Sequence, residues 1–208
     1  MKKIINEPTQ VVDEMLQGLS FMHDDLVERL DGFDVIVRKA EKTGKVGLIS
    51  GGGSGHEPSH AGFVGDGMLS AAICGAVFTS PTPDQILEAI KAADEGAGVF
   101  MVIKNYSGDI MNFEIAQELA EMEGIDVASV VVDDDIAVEN SLYTQGRRGV
   151  AGTILVHKIL GDAARSGKSL SEMKDLADKL VLEIKTIGLA LSGATVPEVG
   201  KPGFVLED

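Results

Sequence analysis

The residues in this sequence that are best suited to chemistry lie in a glycine-rich segment. Residues 51–58 read Gly-Gly-Gly-Ser-Gly-His-Glu-Pro, and consecutive glycines let backbone N–H groups approach a bound ligand closely. His56 lies in this segment, where an imidazole can act as a general base or as a hydrogen-bond partner. The segment lacks the Gly-Lys-Ser/Thr of a phosphate-binding P-loop and the third glycine of a dinucleotide fingerprint. We therefore expect neither of those nucleotide sites, and a tight strand-to-helix turn is the alternative to a ligand-binding loop.

Asp109 is a second candidate, in a polar segment that begins with Lys104. Residues 104–109 read Lys-Asn-Tyr-Ser-Gly-Asp. One interpretation makes Asp109 the N-cap of a helix that begins at Ile110, because Asp is among the preferred capping residues. The other places its carboxylate in a crevice, where it accepts a proton from a substrate hydroxyl. The two roles can coexist.

Two charged clusters have both a functional and a structural interpretation. The acidic run 133–135 (Asp-Asp-Asp) is suited to a metal ion, or equally to a helix cap with solvated charges. The pair Arg147 and Arg148 could neutralise that acidic run, or help to receive a phosphorylated ligand or partner. The spacing does not decide between these alternatives.

The histidines do not form an obvious metal site. His56 and His60 could share one face of a helix, but no third ligand follows at the spacing that a metal requires. We therefore predict no bound metal. His157 lies among apolar residues in the middle of a predicted helix, and its side chain is expected to be a packing residue. His23 is expected at the surface.

The pattern of apolar residues indicates the elements that position these side chains. It predicts strands at 34–38, 45–50, 70–77, 98–104 and 125–132, and helices at 8–22, 82–93, 110–123, 150–165 and 169–184. Strands that alternate with helices of this length are typical of an α/β fold, with a mostly parallel sheet flanked by helices. Ligands bind outside the carboxyl ends of such strands. We expect the Gly-rich strand-to-helix turns to form one crevice there.

Composition excludes several classes of function. The chain has 208 residues, of which 18 are Lys or Arg and 33 are Asp or Glu, for a formal net charge of -15. Nucleic acid and anionic membranes are poor partners for so acidic a protein. No apolar run approaches the roughly 18 residues of a membrane span, and the amino terminus is too short in apolar residues for a signal peptide. With a single cysteine, the chain is expected to be cytoplasmic.

Five segments in order resemble the dihydroxyacetone kinase K-domain family. They are 49–58 (Ile-Ser-Gly-Gly-Gly-Ser-Gly-His-Glu-Pro), 78–83 (Phe-Thr-Ser-Pro-Thr-Pro), 103–109 (Ile-Lys-Asn-Tyr-Ser-Gly-Asp), 132–135 (Val-Asp-Asp-Asp) and 146–149 (Gly-Arg-Arg-Gly). The resemblance spans essentially the whole chain, and five motifs in order are much more specific than one glycine-rich turn.

The resemblance implies a substrate and a set of site residues. The family's K subunit binds dihydroxyacetone, with the positions of Gly53, Ser54, Gly55 and His56 around the substrate. Lys104 would contact the substrate, Asp109 would accept the proton of the attacking hydroxyl, and His56 would assist that transfer. Ser80 is a weaker candidate. These roles are carried over from the family by matching positions.

The resemblance also implies partners and cofactors. In the phosphotransferase-dependent enzymes a separate L subunit holds ADP or ATP with Mg²⁺, and a phosphohistidine protein recharges the nucleotide. This chain would then hold no cofactor of its own, and the family's K subunit is a homodimer. Whether the phosphate comes from this relay or directly from ATP stays open.

The family also implies a division into domains. Residues 1–208 would form the amino-terminal K-type subdomain, and a second subdomain, beginning near residue 200 or absent, would carry a histidine that bonds covalently to the substrate. Residues 204–208 (Phe-Val-Leu-Glu-Asp) look like the start of a strand. We therefore expect a fragment of a longer subunit, inactive by itself.

Two other functions are consistent with the same motifs. The family includes paralogues that sense dihydroxyacetone without phosphorylating it and act as coactivators of a transcriptional regulator. They can keep the ligand site, so the site residues alone do not distinguish them. An α/β domain whose turns merely cap helices is the third alternative, and it does not require five matching segments in order.

Overall fold

The computed structural model describes residues 3–139, 141 and 144–206, which contain one six-stranded sheet in the order β1-β2-β4-β3-β5-β6. Strands β3 to β6 run parallel to one another, whereas β2 pairs antiparallel with β4 and β1 pairs antiparallel with β2 at one edge. The predicted α/β class with a mostly parallel sheet is confirmed. The strands are β1 Val27–Arg29, β2 Val35–Arg38, β3 Gly47–Ser54, β4 Ala71–Val77, β5 Val99–Lys104 and β6 Val127–Val132.

Helices cover both faces of the sheet and separate the apolar core into two layers. Helices α2 and α3 pack on one face, and α1, α4 and α5 pack on the other. Side chains of β5 alternate between the layers, with Met101 in the first and Phe100 in the second, so this strand is buried on both faces. The helices are α1 Val11–Met22, which follows a 3₁₀ turn at Pro8–Gln10, α2 Pro83–Ala93, α3 Ser107–Met122, α4 Thr153–Arg165 and α5 Leu170–Glu183.

Local capping signals place two helix starts where the sequence predicts them. Thr82 caps α2 and Ser169 caps α5, each in a reciprocal capping box with the residue three positions on. Helix α4 begins at Thr153, three residues later than predicted. Asp134 accounts for the delay, because its carboxylate accepts the N–H groups of Val150 and Gly152 and holds the preceding residues in a turn.

The glycine-rich segment is extended strand as far as Ser54, so the prediction that the strand stops at residue 50 in a turn is wrong. The reason is close approach of backbone to backbone. A Cβ on Gly51 would lie 2.6 Å from the carbonyl oxygen of Ile73 on β4, and one on Gly53 would lie 2.5 Å from the backbone nitrogen of Thr79. These glycines therefore serve as strand positions without side chains.

The carboxyl-terminal segment differs from its prediction. Residues 204–206 form no strand, and residues 207 and 208, which the prediction also included, lie outside the described residues. Gly203 instead donates its N–H to the carbonyl of Ala194 at 3.0 Å, beside a bridge between Thr195 and Pro202. No helix in the described part of the chain has the length and apolar character needed to cross a membrane.

A pair of helical glycines tests how tightly α4 packs. A Cβ on Gly161 would lie 2.5 Å from the carbonyl oxygen of Gly67, whereas one on Gly18 in α1 would meet nothing within 4 Å. We expect Gly161→Ala to lower the free energy of unfolding by about 2 kcal/mol through overpacking. Gly18→Ala should raise it by about 0.5–1 kcal/mol through helix propensity. Denaturant unfolding measures both, and equal effects of the two substitutions would contradict the close packing of α4.

Candidate functional site

The candidate site is a cavity of about 350 Å³ beyond the carboxyl ends of β3 and β5. One wall is the loop 56–60 that follows β3. Another wall comprises residues 149–151, 153 and 154, where the chain enters α4. Lys104, the last residue of β5, and Tyr106 also line the cavity. The crevice predicted at this edge of the sheet is therefore present, and it contains two of the predicted site residues, His56 and Lys104.

Lys104 and Asp109 form a buried pair of opposite charges beside the backbone of Gly52. Lys104 is 7% exposed and Asp109 is 3% exposed. A Cβ on Gly52 would lie 2.8 Å from Nζ of Lys104 and 3.4 Å from Oδ2 of Asp109, so a side chain there would require the ammonium group to shift. Both charged groups therefore lie beside the bare backbone of Gly52.

Asp109 is not the N-cap of its helix. Helix α3 begins at Ser107 with Tyr106 at the cap position, so Asp109 lies in the first turn. Its Oδ1 is buried without a hydrogen-bond partner among the described residues, while Ser80 hydrogen-bonds the carboxyl group. Burial raises the pKa of Asp109, and the Ser80 hydrogen bond and the charge of Lys104 partly offset that rise. A carboxylate of raised pKa with a free oxygen is suited to accept a proton.

The same buried surroundings shift the pKa of Lys104 in the opposite direction. Burial lowers the pKa of its ammonium group, and the negative charge of Asp109 opposes that change. Its Nζ also lies 5.7 Å from the centre of the Tyr106 ring, within the range of a cation–π contact. The Lys104 ammonium group is therefore stabilised by one carboxylate and one aromatic ring.

His56 lies at the mouth of the cavity, packed against Phe78. The two ring centres are 5.0 Å apart. Burial lowers the pKa of His56, the charge of Lys104 lowers it further, and Glu57 opposes both effects. The imidazole is accordingly neutral near pH 7 and able to accept a proton.

Phe78 occupies a conformation that side chains rarely adopt. Its φ is 54°, in the left-handed region, and its N–H donates to the carbonyl of Ser54 at 2.8 Å. Gly55 leaves room for the ring, because a Cβ there would lie 2.6 Å from Cε1 of Phe78. Left-handed backbone costs roughly 1–2 kcal/mol for a residue with a side chain, so the surrounding contacts must hold Phe78 beside His56.

Ser54 and Gly55 lie on the other side of the same loop. The Ser54 hydroxyl donates to the carbonyl oxygen of Gly75 at 2.7 Å and so links β3 to β4. Both residues line a second cavity of about 480 Å³, which is also lined by residues of α1 and by residues 192–195 and 197. Gly53 and Asp109 line neither of these two cavities, and Gly53 lies against the backbone of Phe78 and Thr79. The six predicted site residues thus lie near the carboxyl ends of β3 and β5, but they do not line one cavity.

The acidic run and the arginine pair have structural partners. Arg147 pairs with Asp133 at 3.1 Å, and Arg148 pairs with Asp135 at 2.6 Å. Asp134 accepts the hydroxyl of Thr186 as well as the two N–H groups before α4. These contacts favour the structural interpretation of both clusters. No group of three His, Cys, Asp or Glu side chains among the described residues is placed to hold a metal ion.

Sequence reasoning missed the contacts of three residues near the cavity. The Asn105 amide donates to the carbonyls of Gln145 and Arg147 at 2.9 and 2.7 Å, and this fixes the chain between β6 and α4. His56 and His60 lie in turns and so do not share one face of a helix, and His60 instead forms a buried pair with His157. The only available signal was their residue type, because the contacts join distant parts of the chain. His23 follows α1 at the surface, as predicted.

Removing the Ser80 hydroxyl should raise the pKa of Asp109. The Ser80 hydrogen bond favours the ionised carboxylate, so Ser80→Ala removes a cause that lowers the pKa. Burial already holds the wild-type value above the ordinary 3.8, so the stability of Ser80→Ala relative to wild type should fall as pH rises from the folded-state pKa of the wild type through the higher folded-state pKa of the variant. Carboxyl ¹³C NMR titration measures this pKa, and Lys104→Met is a matched control that should raise it as well. An unchanged or lower pKa in Ser80→Ala would refute the role of Ser80.

Comparison with known sequences identifies relatives of the whole chain. The family model described as the Dak1 domain matches residues 17–208. The chain is 72% identical over 207 residues to the PTS-dependent dihydroxyacetone kinase, dihydroxyacetone-binding subunit DhaK, of Lactococcus lactis, covering 100% of this chain and 62% of that protein. It is 52% identical over 208 residues to the corresponding PEP-dependent DhaK subunit of Escherichia coli, covering 100% and 58%. The chain thus spans about three fifths of the length of these curated relatives.

Solved structures share the fold. The native dihydroxyacetone kinase of C. freundii matches 100% of this chain and 38% of its own, at a TM-score of 0.87 and 37% identity. The same kinase in complex with AMP-PNP and Mg²⁺ matches 86% of this chain and 33% of its own, at 0.79 and 40%. A dihydroxyacetone kinase operon co-activator, Dha-DhaQ, matches 97% of this chain and 61% of its own, at 0.86 and 42%. The family match over most of the sequence and the identity to these relatives show that the chain belongs to the Dak1 domain family.

Proposed function

We propose that this chain is the dihydroxyacetone-binding part of a dihydroxyacetone kinase, in which it presents a substrate hydroxyl for phosphoryl transfer. The observation that carries the proposal is the buried Lys104–Asp109 pair beside the bare backbone of Gly52, with His56 at the mouth of the adjoining cavity. The names of the relatives from L. lactis and E. coli support the same substrate.

The chemistry of the ligand is consistent with the cavity. Dihydroxyacetone is small and neutral, with two hydroxyl groups, one carbonyl group and little apolar surface. Such a molecule is held by a few hydrogen bonds from backbone and side chains, and a large apolar pocket would add little. The cavity offers the Lys104 ammonium group and the His56 imidazole as hydrogen-bond partners, and residues 149–154 provide much of its remaining wall.

Asp109 is the proposed proton acceptor. In phosphoryl transfer the substrate hydroxyl oxygen forms a bond to phosphorus, the bond to the leaving nucleotide breaks, and the hydroxyl proton must leave. The unpartnered Oδ1 of Asp109 can accept that proton. The raised pKa of Asp109 makes its carboxylate a stronger base than an exposed one. The charge of Lys104 favours the ionised form of this carboxylate. Neutral His56 hydrogen-bonds the substrate and assists the proton transfer.

The remaining roles are proposed for other protein segments and subunits. Residues 1–208 form the amino-terminal K-type subdomain, and the part of the relatives that lies beyond this chain supplies a second subdomain with the covalent histidine. A separate L subunit holds ADP or ATP with Mg²⁺ and is recharged by a phosphohistidine protein of the phosphotransferase system. The structure of the C. freundii kinase with AMP-PNP and Mg²⁺ supports nucleotide use in the family. The subunit would be a cytoplasmic homodimer, inactive without these parts.

A second candidate function is ligand sensing. The similarity to the dihydroxyacetone kinase operon co-activator Dha-DhaQ, at 42% identity, favours a non-phosphorylating paralogue that binds the same ligand and acts on a transcriptional regulator. The higher identity of 72% to a kinase subunit favours the enzyme. Turnover with an L subunit separates the two, because a sensor would bind dihydroxyacetone without supporting its phosphorylation.

Binding of the ligand is the first test. We expect calorimetric titration of the 208-residue chain with dihydroxyacetone to show saturable binding that His56→Ala weakens on the order of tenfold, as expected for loss of one hydrogen bond in a small site. Glycerol, which lacks the carbonyl group, serves as the control ligand. Absence of binding by the folded chain would contradict a complete ligand pocket within these residues.

Turnover tests the role of Asp109. In a full-length version of this subunit, reconstituted with an L subunit and phosphate donor, Asp109→Asn should lower kcat by a factor of about 10²–10⁴, the usual contribution of a positioned general base. Asp84→Asn is the matched control, because Asp84 also lies in the first turn of a helix but is exposed. Unchanged turnover in Asp109→Asn would remove Asp109 from the mechanism.

A further inference from the structure

His60 and His157 form a buried hydrogen bond that the proposed chemistry does not use. Nδ1 of His60 lies 3.0 Å from Nε2 of His157, although the two residues are 97 positions apart in the sequence. His60 is 5% exposed and His157 is 0% exposed. The ring centres are 5.2 Å apart in an edge-to-face arrangement, and Phe63 lies beside His157. The bond joins the end of the loop 56–60 to the middle of α4.

Both imidazoles are neutral. Burial lowers the pKa of each, to about 3 for His157, and the charge of Lys104 acts in the same direction. Each ring then has one N–H and one bare nitrogen. The shared bond uses one N–H and one bare nitrogen, which leaves Nε2 of His60 and Nδ1 of His157 without a partner among the described residues.

Stability alone does not account for this pair. A buried polar group without a hydrogen bond costs about 1–3 kcal/mol, and apolar side chains would fill the same space without that cost. A buried polar contact of this kind instead fixes a direction and a distance, because a hydrogen bond is strong over a narrow range of geometry. The pair is therefore better suited to hold two segments in register than to stabilise the core.

Helix α4, to which the bond joins the loop, is itself fixed in place. Asp134 fixes the residues that precede α4, and Gly161 packs directly on the backbone of Gly67. The loop has its own short links, a bridge between His56 and Ser59 and an N–H of Gly62 donated to Pro58 at 2.9 Å. In the part of the chain that the structure describes, the His60–His157 bond is the side-chain hydrogen bond that connects this compact loop to α4.

We propose that the His60–His157 hydrogen bond positions the loop that carries His56, by tying it to α4 behind the cavity lining to which His60 belongs. The two cavity walls, residues 56–60 and residues 149–154, are held at a fixed separation by this bond. His60 and His157 are positioning residues, since they act on the substrate through His56. The functional part of the inference rests on the proposed function, whereas the positioning of the loop does not.

The bond itself is tested without any substitution. In protein labelled with ¹⁵N at histidine, we expect an NMR scalar coupling between Nδ1 of His60 and Nε2 of His157, because such couplings pass through an N–H···N hydrogen bond. No coupling between the two nitrogens, in folded protein, would overturn the proposal.

Two substitutions at one position test the positioning. His157→Leu removes the bond and fills the space, and His157→Gln keeps a donor or acceptor near the Nε2 position. We expect the backbone N–H order parameters of residues 56, 57 and 59 to fall from about 0.85 to below about 0.6 in His157→Leu and to stay near the wild-type value in His157→Gln. Equal order parameters in wild type and a folded His157→Leu would overturn the proposal, whatever the ligand.

Ligand binding separates this inference from the proposed function. We expect His157→Leu to weaken dihydroxyacetone binding on the order of tenfold or more, as misplacement of one contact group does, and His157→Gln to bind as wild type does. A wild-type chain that binds no dihydroxyacetone but shows the loop response contradicts the proposed ligand and leaves the positioning intact. Wild-type affinity in His157→Leu contradicts the link between this bond and the site.

Discussion

The site depends on a pair of opposite charges that the fold has taken out of water. Lys104 and Asp109 are each almost fully buried, and neither could occupy this place alone without a large desolvation cost. The pair requires an unobstructed strand beside it, which Gly52 provides, and a hydrogen-bond donor at the carboxylate, which Ser80 provides. The two buried charges thus lie where β3, the residues that follow β4 and the end of β5 come together.

The burial of this pair also changes the acid–base properties of both groups. Burial raises the pKa of Asp109 and lowers the pKa of Lys104, so both groups are less firmly charged than they would be in water. Proton transfer is easiest when donor and acceptor have similar pKa values, and such shifts bring a carboxylate closer to a hydroxyl. The same burial that makes the pair costly to fold makes its carboxylate a better base. Function and stability oppose each other at this point of the molecule.

Local patterns predicted most of the scaffold, and long-range contacts account for the errors. The capping boxes at Thr82 and Ser169 and the buried strand β5 were evident from neighbouring residues. Strand β1, with three residues, is too short for any periodicity to identify. The glycine segment was predicted to be a turn because glycine favours turns locally, whereas the facing backbone that requires glycine lies more than twenty positions away.

The site residues also divide into those that local patterns identify and those that only long-range contacts bring together. Residue type and strand ends were enough to select His56 and Asp109 and to place them at one edge of the sheet, whereas Lys104 was selected through the family resemblance. The spacing could not give the start of α3 at Ser107, because Tyr106 is not a usual capping residue. Nor could it bring together His60 and His157, whose contact exists only after β3 and α4 have packed.

The close packing of β3 also constrains how this gene can change. Every amino acid that replaces glycine after a single nucleotide change carries a Cβ atom, and at Gly51, Gly53 and Gly75 that atom would fall within 2.6 Å of a backbone oxygen or nitrogen. The facing atoms belong to backbone and cannot rotate away as a side chain would. No single-step substitution at these codons is sterically conservative, so variation near the site has to arise in the side chains around the strand.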